Sequence, residues 1–486
     1  MTESTLEPTQ HHITATHLDQ ASLFRTSKNS EERLKPLGSP EAWLEYDKKR
    51  PLILVDPKKQ FQEIVGFGGA FTEAASTNFY KLSPENREKI LTAYFDPNEG
   101  YGYTIGCTHI NSCDFSLRNF AYVETPGDFD LKTFSISRDL ETRIPFIKES
   151  LKKRGAPIRL LASPWSPPAW MKTTGKMNQG GKLKPECRQA WANYYCRFIQ
   201  EYEKQDISIW GVTVQNEAGA VTPWDSCVYT GEEERDFVRD FLGSAMEAHG
   251  LSHVKILVWD HNRDRLPMQV HPIYSDPECS KYVWGAAYHW YVQDKYENLQ
   301  LIYDAFPDKH FLFSEGCQEV AGSNFWAAQN SVDFDAGEEL LNPLESPWEY
   351  GEKYGKSMIR DFNRWNTGFI DWNLVLDETG GPNHVGFKCC AAIMADTEND
   401  TLHFQSIYYY LGHFARFVKP GAHRILCTTT RDDMEATAFI NPDQSIVLVV
   451  MNETDSAKTA AVKINETQPL LELPPHSITT LVLKLS

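Results

Sequence analysis

The sequence predicts an α/β fold: a (β/α)8 TIM barrel carrying an antiparallel β-sandwich side domain. Three observations predict it. Eight apolar or β-branched runs of strand length recur through residues 63–417, most of them followed by a helical pattern. After about residue 418 the texture changes to short alternating runs separated by Asn, Asp, Pro and Gly, the mark of an antiparallel sheet. The length of 486 residues suits a barrel of roughly 250–350 residues plus a smaller module. An open doubly wound sheet is the competing architecture for the same alternation.

The strand runs, in order, are Glu63–Phe71, Tyr103–Asn111, Ile158–Trp165, Ile209–Glu217, Lys255–Asp260, Tyr282–His289, His310–Glu315 and Gly368–Asn373. Helix starts fall between them. Ser83-Pro84-Glu85 supplies an N-cap, a proline at the first helical position and an early acid. Thr230 and Glu233 form a capping box that opens a helix with Phe237, Phe241 and Val238, Leu242 at i,i+4 spacing. The barrel is assigned residues 63–417. The sandwich is assigned 31–62 and 418–486, the first stretch because Pro51–Asp56 reads as a strand ahead of the barrel. Residues 1–30 are expected to be loosely ordered, and Asp333–Glu352 to be an acidic loop insertion.

Charge narrows the function. With 48 Lys and Arg against 66 Asp and Glu, the net charge of −18 excludes binding through nucleic-acid phosphates and simple docking on anionic lipid. It fits an enzyme acting on a neutral substrate. The ten cysteines are scattered with no C-x-x-C pair, so neither a zinc ribbon nor a redox motif is indicated. No basic and apolar leader opens the chain, and no run approaches the ~18 apolar residues of a transmembrane segment. The expectation is a cytoplasmic protein with reduced thiols.

Two of the strand runs end on a glutamate, Glu217 and Glu315. In a parallel barrel the C-terminal strand ends form the reactive face, so these two carboxylates converge there. A carboxylate pair flanking one bond is the requirement of glycoside hydrolysis. Around them, Asp114, Tyr291, Trp372 and Asn373 also fall at or just beyond strand ends, which reads as a site for a neutral sugar. Ser163–Met171 is a loop, because its three prolines forbid a continuing helix or inner strand, and it offers Trp165 and Trp170 as a sugar wall or as packing. His109, His261 and His289 lack metal-ligand spacing and are assigned hydrogen-bonding roles at strand ends. Gly66-Phe-Gly-Gly lacks the third glycine of a dinucleotide fingerprint, so its glycines are expected to turn a strand end beneath a ligand. No G-x-S-x-G elbow occurs.

Taken together, Gly66–Ala75, Asn111–Ser116, Ala162–Trp170, Thr213–Glu217, His289–Tyr291, Ser314–Glu315 and Asp371–Leu374 resemble the glucosylceramidase-like retaining β-glycosidases of glycoside hydrolase family thirty. The similarity runs from about residue 60 to the C-terminus, in the family's order. The resemblance implies Glu217 as acid/base, Glu315 as nucleophile and Asn216 as the residue holding the sugar 2-hydroxyl. It implies Asp114 and Trp165 at the far hydroxyls, Tyr291 near the nucleophile and Trp372 as the floor, with His289 counted in the same substrate site. It implies a neutral β-glucoside as substrate and no cofactor or metal. A β-1,6-glucanase of the same family and a sugar-binding protein with impaired catalysis are the alternatives. The chain departs from the family pattern at three places. Cys107 stands where the family carries an arginine, Ala218 where it carries a proline after the acid/base, and Phe387-Lys-Cys-Cys390 where it has a more polar loop. Without the arginine, Glu315 is expected to ionise less readily.

Overall fold

A computed structural model describes residues 21–40, 50–320, 341–464 and 469–484. It divides into two units, residues 62–421 and the two chain ends, 1–61 with 422–486. The first unit is a closed barrel of eight parallel strands. They are β1 (Gly66–Phe71), β2 (Ile105–Ile110), β3 (Arg159–Pro164), β4 (Ile209–Thr213), β5 (Lys255–Asn262), β6 (Val283–His289), β7 (His310–Phe313) and β8 (Asn366–Asn373). Pairing of β8 with β1, Gly368 opposite Gly66, closes the ring. Every one of the eight sequence runs overlaps one of these strands.

The strands are apolar on both faces because the barrel interior packs as densely as the outer layer. Ala70, Ile105, Leu161, Leu257, Ala287, Leu312 and Ile370 fill the interior. The outer face is covered by helices such as Arg188–Glu203, whose Trp191, Tyr194, Tyr195, Phe198, Ile199 and Tyr202 are buried at helical spacing. Gly68 is needed for close approach: a Cβ there would stand 1.6 Å from the Ile105 carbonyl oxygen. The Gly66-Phe-Gly-Gly run therefore lies inside β1 and lets two strands meet. It does not turn the chain beneath a ligand.

Both helix-start signals hold. Ser83 accepts from the Asn86 amide ahead of the helix Pro84–Phe95. Thr230 and Glu233 cap each other reciprocally at the start of the helix Gly231–Phe237. The α-periodicity expected beyond it is interrupted, since Val238–Leu242 forms a π-helical turn before Gly243–Ala248 resumes.

The second unit is a nine-stranded sheet in the order Lys35–Gly38, Ala21–Ser27, Ser477–Lys484, Ser445–Asn452, Glu435–Ile440, His423–Thr429, Leu52–Glu63, Lys458–Ile464 and Leu470–Leu473. Its pairs are antiparallel except Leu52–Glu63 with Lys458–Ile464, which run parallel. The expectation of a loose segment over residues 1–30 fails in part. Ala21–Ser27 is a strand paired through seven residues with Ser477–Lys484, a partner more than 450 residues away that local pattern cannot reveal. Residues 1–20 lie outside the described set. Of the expected acidic loop Asp333–Glu352, residues 333–340 also lie outside it. Trp348–Glu352 opens a helix that runs to Phe362, with Gly351 and Glu352 buried.

Candidate active site

Both glutamates sit past their strands, not on them. Glu217 lies in the turn after β4 and Glu315 just beyond β7. Glu217 holds φ at 50°, and Asn111, Trp259 and Asp260, at or near strand ends, are also left-handed. Such backbone costs about 1–3 kcal/mol per residue and persists where surrounding structure enforces it. The Glu217 amide donates to the Asp260 carbonyl at 2.7 Å, and the Ala220 amide donates back to the Glu217 carbonyl at 2.8 Å. That second bond holds the turn with Ala218 in the position of the family's proline.

One cavity is lined by Asp114, Trp165, Asn216, Glu217, Tyr291, Glu315 and Trp372. Thus two predicted catalytic and five of the six predicted substrate residues meet. Trp165 and Trp372 stack with ring centroids 5.2 Å apart. Asn216 Oδ1 and Asp114 Oδ1 are buried without hydrogen-bond partners. The Tyr291 hydroxyl donates to Glu315 Oε1 at 2.9 Å. Trp170 is elsewhere: its Nε1 donates to the Val123 carbonyl, and the ring lines a larger cavity with Asn178 and Gln179 that holds neither glutamate.

His289 departs from its expected place. Its ring is fully buried behind the cavity, with Nδ1 3.4 Å from Glu217 Oε1 and 3.9 Å from Glu315 Oε1, and Nε2 3.2 Å from Asp260 Oδ1. It bridges carboxylates and does not face substrate. Burial disfavours its charge, but Glu315, Asp260 and Glu217 together outweigh burial and raise it well above the ordinary histidine value. His289 is therefore an imidazolium with both nitrogens donating. His261, 3.6 Å from Glu217, is lowered by burial, with the Glu217 charge opposing. His109 is lowered well below the ordinary value by burial and Arg143, and its Nε2 accepts from the Glu73 amide at 3.1 Å.

These neighbours set the two glutamates apart. Burial pushes Glu315 up to about 8; Glu217 and Asp260 add to the rise while His289 and Tyr291 oppose it. For Glu217 burial is outweighed by His261 and His289, which hold it below the usual carboxylate range. Cys107 contributes no positive charge: its thiol is buried and pushed up, with Asp260 and Glu315 adding to the rise. The expectation of a less readily ionised Glu315 agrees with this direction. Asp114 is raised well above its ordinary value by burial, then by Glu315 and Glu217.

Sequence reasoning missed Asp260, Glu319, Trp224 and Cys317, whereas Phe387, which also lines the cavity, opens the run already set apart from the family's more polar loop. Asp260 accepts from Ser314 Oγ at 2.6 Å as well as from His289. A bulge between Trp259 and His261 interrupts β5 beside it. Its signal was present, since its strand run ends on an acid just as those of Glu217 and Glu315 do. Glu319, pushed up to about 7 by burial, lines the cavity from the short strand Gln318–Glu319, and Trp224 and Cys317 line it from loops without a motif. Among the described residues no group of three or more His, Cys, Asp or Glu is placed to hold a metal ion, and no helix is long and apolar enough to cross a membrane.

Comparison with known proteins places this geometry. Residues 64–418 match the model of the glycosyl hydrolase family 30 TIM-barrel domain, and residues 421–481 that of the family 30 beta sandwich domain. The chain is 38% identical over 416 residues to the lysosomal acid glucosylceramidase of Mus musculus, covering 83% of this chain and 77% of that one. Among solved structures it resembles SrfJ from Salmonella typhimurium, with a TM-score of 0.87 and 35% identity over 96% of this chain and all of the other. It also resembles the endo-beta1,6-glucanase BT3312, with a TM-score of 0.82 and 29% identity over 96% of this chain and 100% of that one.

Proposed function

The chain belongs to glycosyl hydrolase family 30, and from that premise we propose that it hydrolyses terminal β-glucosides with retention, in the manner of a glucosylceramidase. The observation that carries the reading is the meeting of Glu217 and Glu315 in one cavity with a stacked tryptophan pair and two unpartnered buried acceptors. The sugar ring packs on Trp165 and Trp372. Asn216 Oδ1 and Asp114 Oδ1 each accept from a hydroxyl. Glu315 attacks the anomeric carbon while Glu217 protonates the departing oxygen, and Glu217 then takes the proton of the water that releases the sugar. Tyr291 holds Glu315 Oε1 in position.

The touching of both carboxylates to one imidazole nitrogen keeps the two Oε1 atoms closer than the sum of those contacts. That bound admits the spacing of about 5–5.5 Å that nucleophilic attack requires. A second reading, cleavage of β-1,6-glucan, is favoured by the 29% identity to a glucanase of the same fold. One panel separates them: an aryl β-glucoside, glucosylceramide, gentiobiose and β-1,6-glucan, with the first-formed anomer read by proton NMR. Fast release from the aryl glucoside and glucosylceramide, with β-glucose appearing first, is expected. Turnover of the polymer alone establishes the second reading, and α-glucose appearing first overturns retention.

A further inference from the structure

Directly beyond Glu315 the chain brings two thiols together. Cys317 Sγ lies 2.9 Å from Cys389 Sγ, and both are free and buried. The approach is built by the backbone. Gln318–Glu319 and Cys389–Cys390 pair as an antiparallel two-stranded ladder, Gln318 opposite Cys390 and Glu319 opposite Cys389. The ladder is extended by the Val320 amide donating to the Lys388 carbonyl. Cys317 lines the catalytic cavity, whereas Cys389 stands behind it.

We propose that Cys317 and Cys389 form a redox modification site, closed to a disulfide by a peroxide, and that closure turns down hydrolysis at Glu315. To reach a bond length of about 2.04 Å the sulfurs approach by less than one ångström, so the two-stranded ladder keeps its pairing and the shift falls on Cys317 and its neighbour Gly316. The Cys317 sulfur, open to the cavity, attacks one oxygen of hydrogen peroxide. The O–O bond breaks, the departing oxygen leaves as water with the thiol proton, and a sulfenic acid remains. The Cys389 sulfur then attacks the Cys317 sulfur; the S–O bond breaks, and a second water leaves with the Cys389 proton. Two thiols lose two electrons and two protons, and one peroxide becomes two waters.

The link to catalysis is Tyr291. Its hydroxyl donates to Glu315 Oε1 and lies 3.6 Å from Cys317 Sγ. Drawing that sulfur toward Cys389 removes the tyrosine's second partner. It also pulls on Gly316, whose carbonyl accepts from the Trp372 amide and the Tyr354 hydroxyl, both at 3.0 Å. Nucleophile support and sugar floor are disturbed together. Burial raises both thiols, so oxidation is slow at neutral pH and quickens as pH rises.

The test exposes the full chain to hydrogen peroxide, quenches it and reads two things: a non-reducing peptide map and kcat/KM on an aryl β-glucoside. A mapped Cys317–Cys389 crosslink is expected, with kcat/KM lower by about 10-fold or more and restored by a thiol reductant. Cys389→Ala starts with native activity and keeps it through the same exposure, and Cys389→Ser repeats the comparison if the alanine variant folds poorly. Activity rests on the glycosidase reading, but the peptide map does not, so the two fail separately. A crosslink without loss of activity overturns the proposal, as does equal inactivation of Cys389→Ala or a Cys317 sulfinate with no crosslink.

Discussion

Glu217 and Glu315 follow strand runs of the same character yet end in opposite electrostatic surroundings. Glu217 faces His261 and His289 and is held low. Glu315 faces the neutral Cys107, the phenol of Tyr291 and the negative charges of Glu217 and Asp260, and is pushed up to about 8. The imidazolium of His289 touches both but lies nearer Glu217. The difference teaches that each carboxyl's proton is placed by other strands: β5 brings Asp260 and His261, β6 brings His289 and β2 brings Cys107. It also biases a shared proton toward Glu315.

The largest effects come from removing either carboxylate, and they decide whether the two differ in role as well as in environment. Glu315→Gly should lower kcat on the order of 10⁴-fold or more. Added azide should restore turnover with an α-glycosyl azide product, because azide enters from the face the nucleophile has vacated. Glu217→Ala should lose roughly 10²–10⁴-fold on substrates with poor leaving groups and far less on activated aryl glucosides, since acid assistance matters most for the former. Its azide product should be the β-anomer. Product stereochemistry by NMR checks both, and a reversed pair of anomers means the roles are exchanged.

Much of this site was legible in the sequence, for a physical reason. Strand runs ending on Glu217, Glu315 and Asp260 are local patterns, and a parallel barrel gathers all strand ends on one face. The aromatic lining at Trp165 and Trp372 follows the same logic, whereas Asn216 was named by the family resemblance alone. What was not legible is long-range or conformational. The strand Ala21–Ser27 is defined by its partner Ser477–Lys484. The left-handed backbone at Glu217 and Asp260, and the closeness of Cys317 to Cys389, depend on how distant loops pack. His289 looked like a substrate ligand because it precedes Trp290 and Tyr291. Only the position of Asp260 shows that its ring is enclosed by carboxylates.

The next test removes the shared cation. His289→Gln keeps side-chain hydrogen bonding but loses the charge that favours ionisation of both glutamates. Turnover should fall on the order of 10²-fold, the scale of losing one preorganised donor. Asp260 keeps the Ser314 hydroxyl but loses its cationic partner, so stability should drop by up to about 3–5 kcal/mol in a denaturant titration. With less positive charge nearby, the last proton of the glutamate pair leaves at higher pH, so the basic limb of the kcat/KM profile moves up. An unmoved basic limb rules out His289 as the cation that divides the pair.

The smallest change supplies a cation on the other side. The native surroundings favour the single proton on Glu315, whereas the proposed mechanism needs it on Glu217. Activity should fall on the basic side at about 8, as the pair loses that proton. An arginine at Cys107 stands beside Glu315, favours its charged form and drives the proton onto Glu217. Cys107→Arg should therefore raise kcat/KM by ~10-fold or more, each tenfold being about 1.4 kcal/mol of barrier. The new side chain is much larger than the buried thiol, and overpacking costs typically about 1–3 kcal/mol. The comparison therefore needs a thermal melt and the neutral variant Cys107→Ala. The alanine variant should leave rate and pH profile nearly unchanged, because it alters no charge. A Cys107→Arg protein that melts like the native one and shows the same rate and profile means the proton is partitioned by His289 alone.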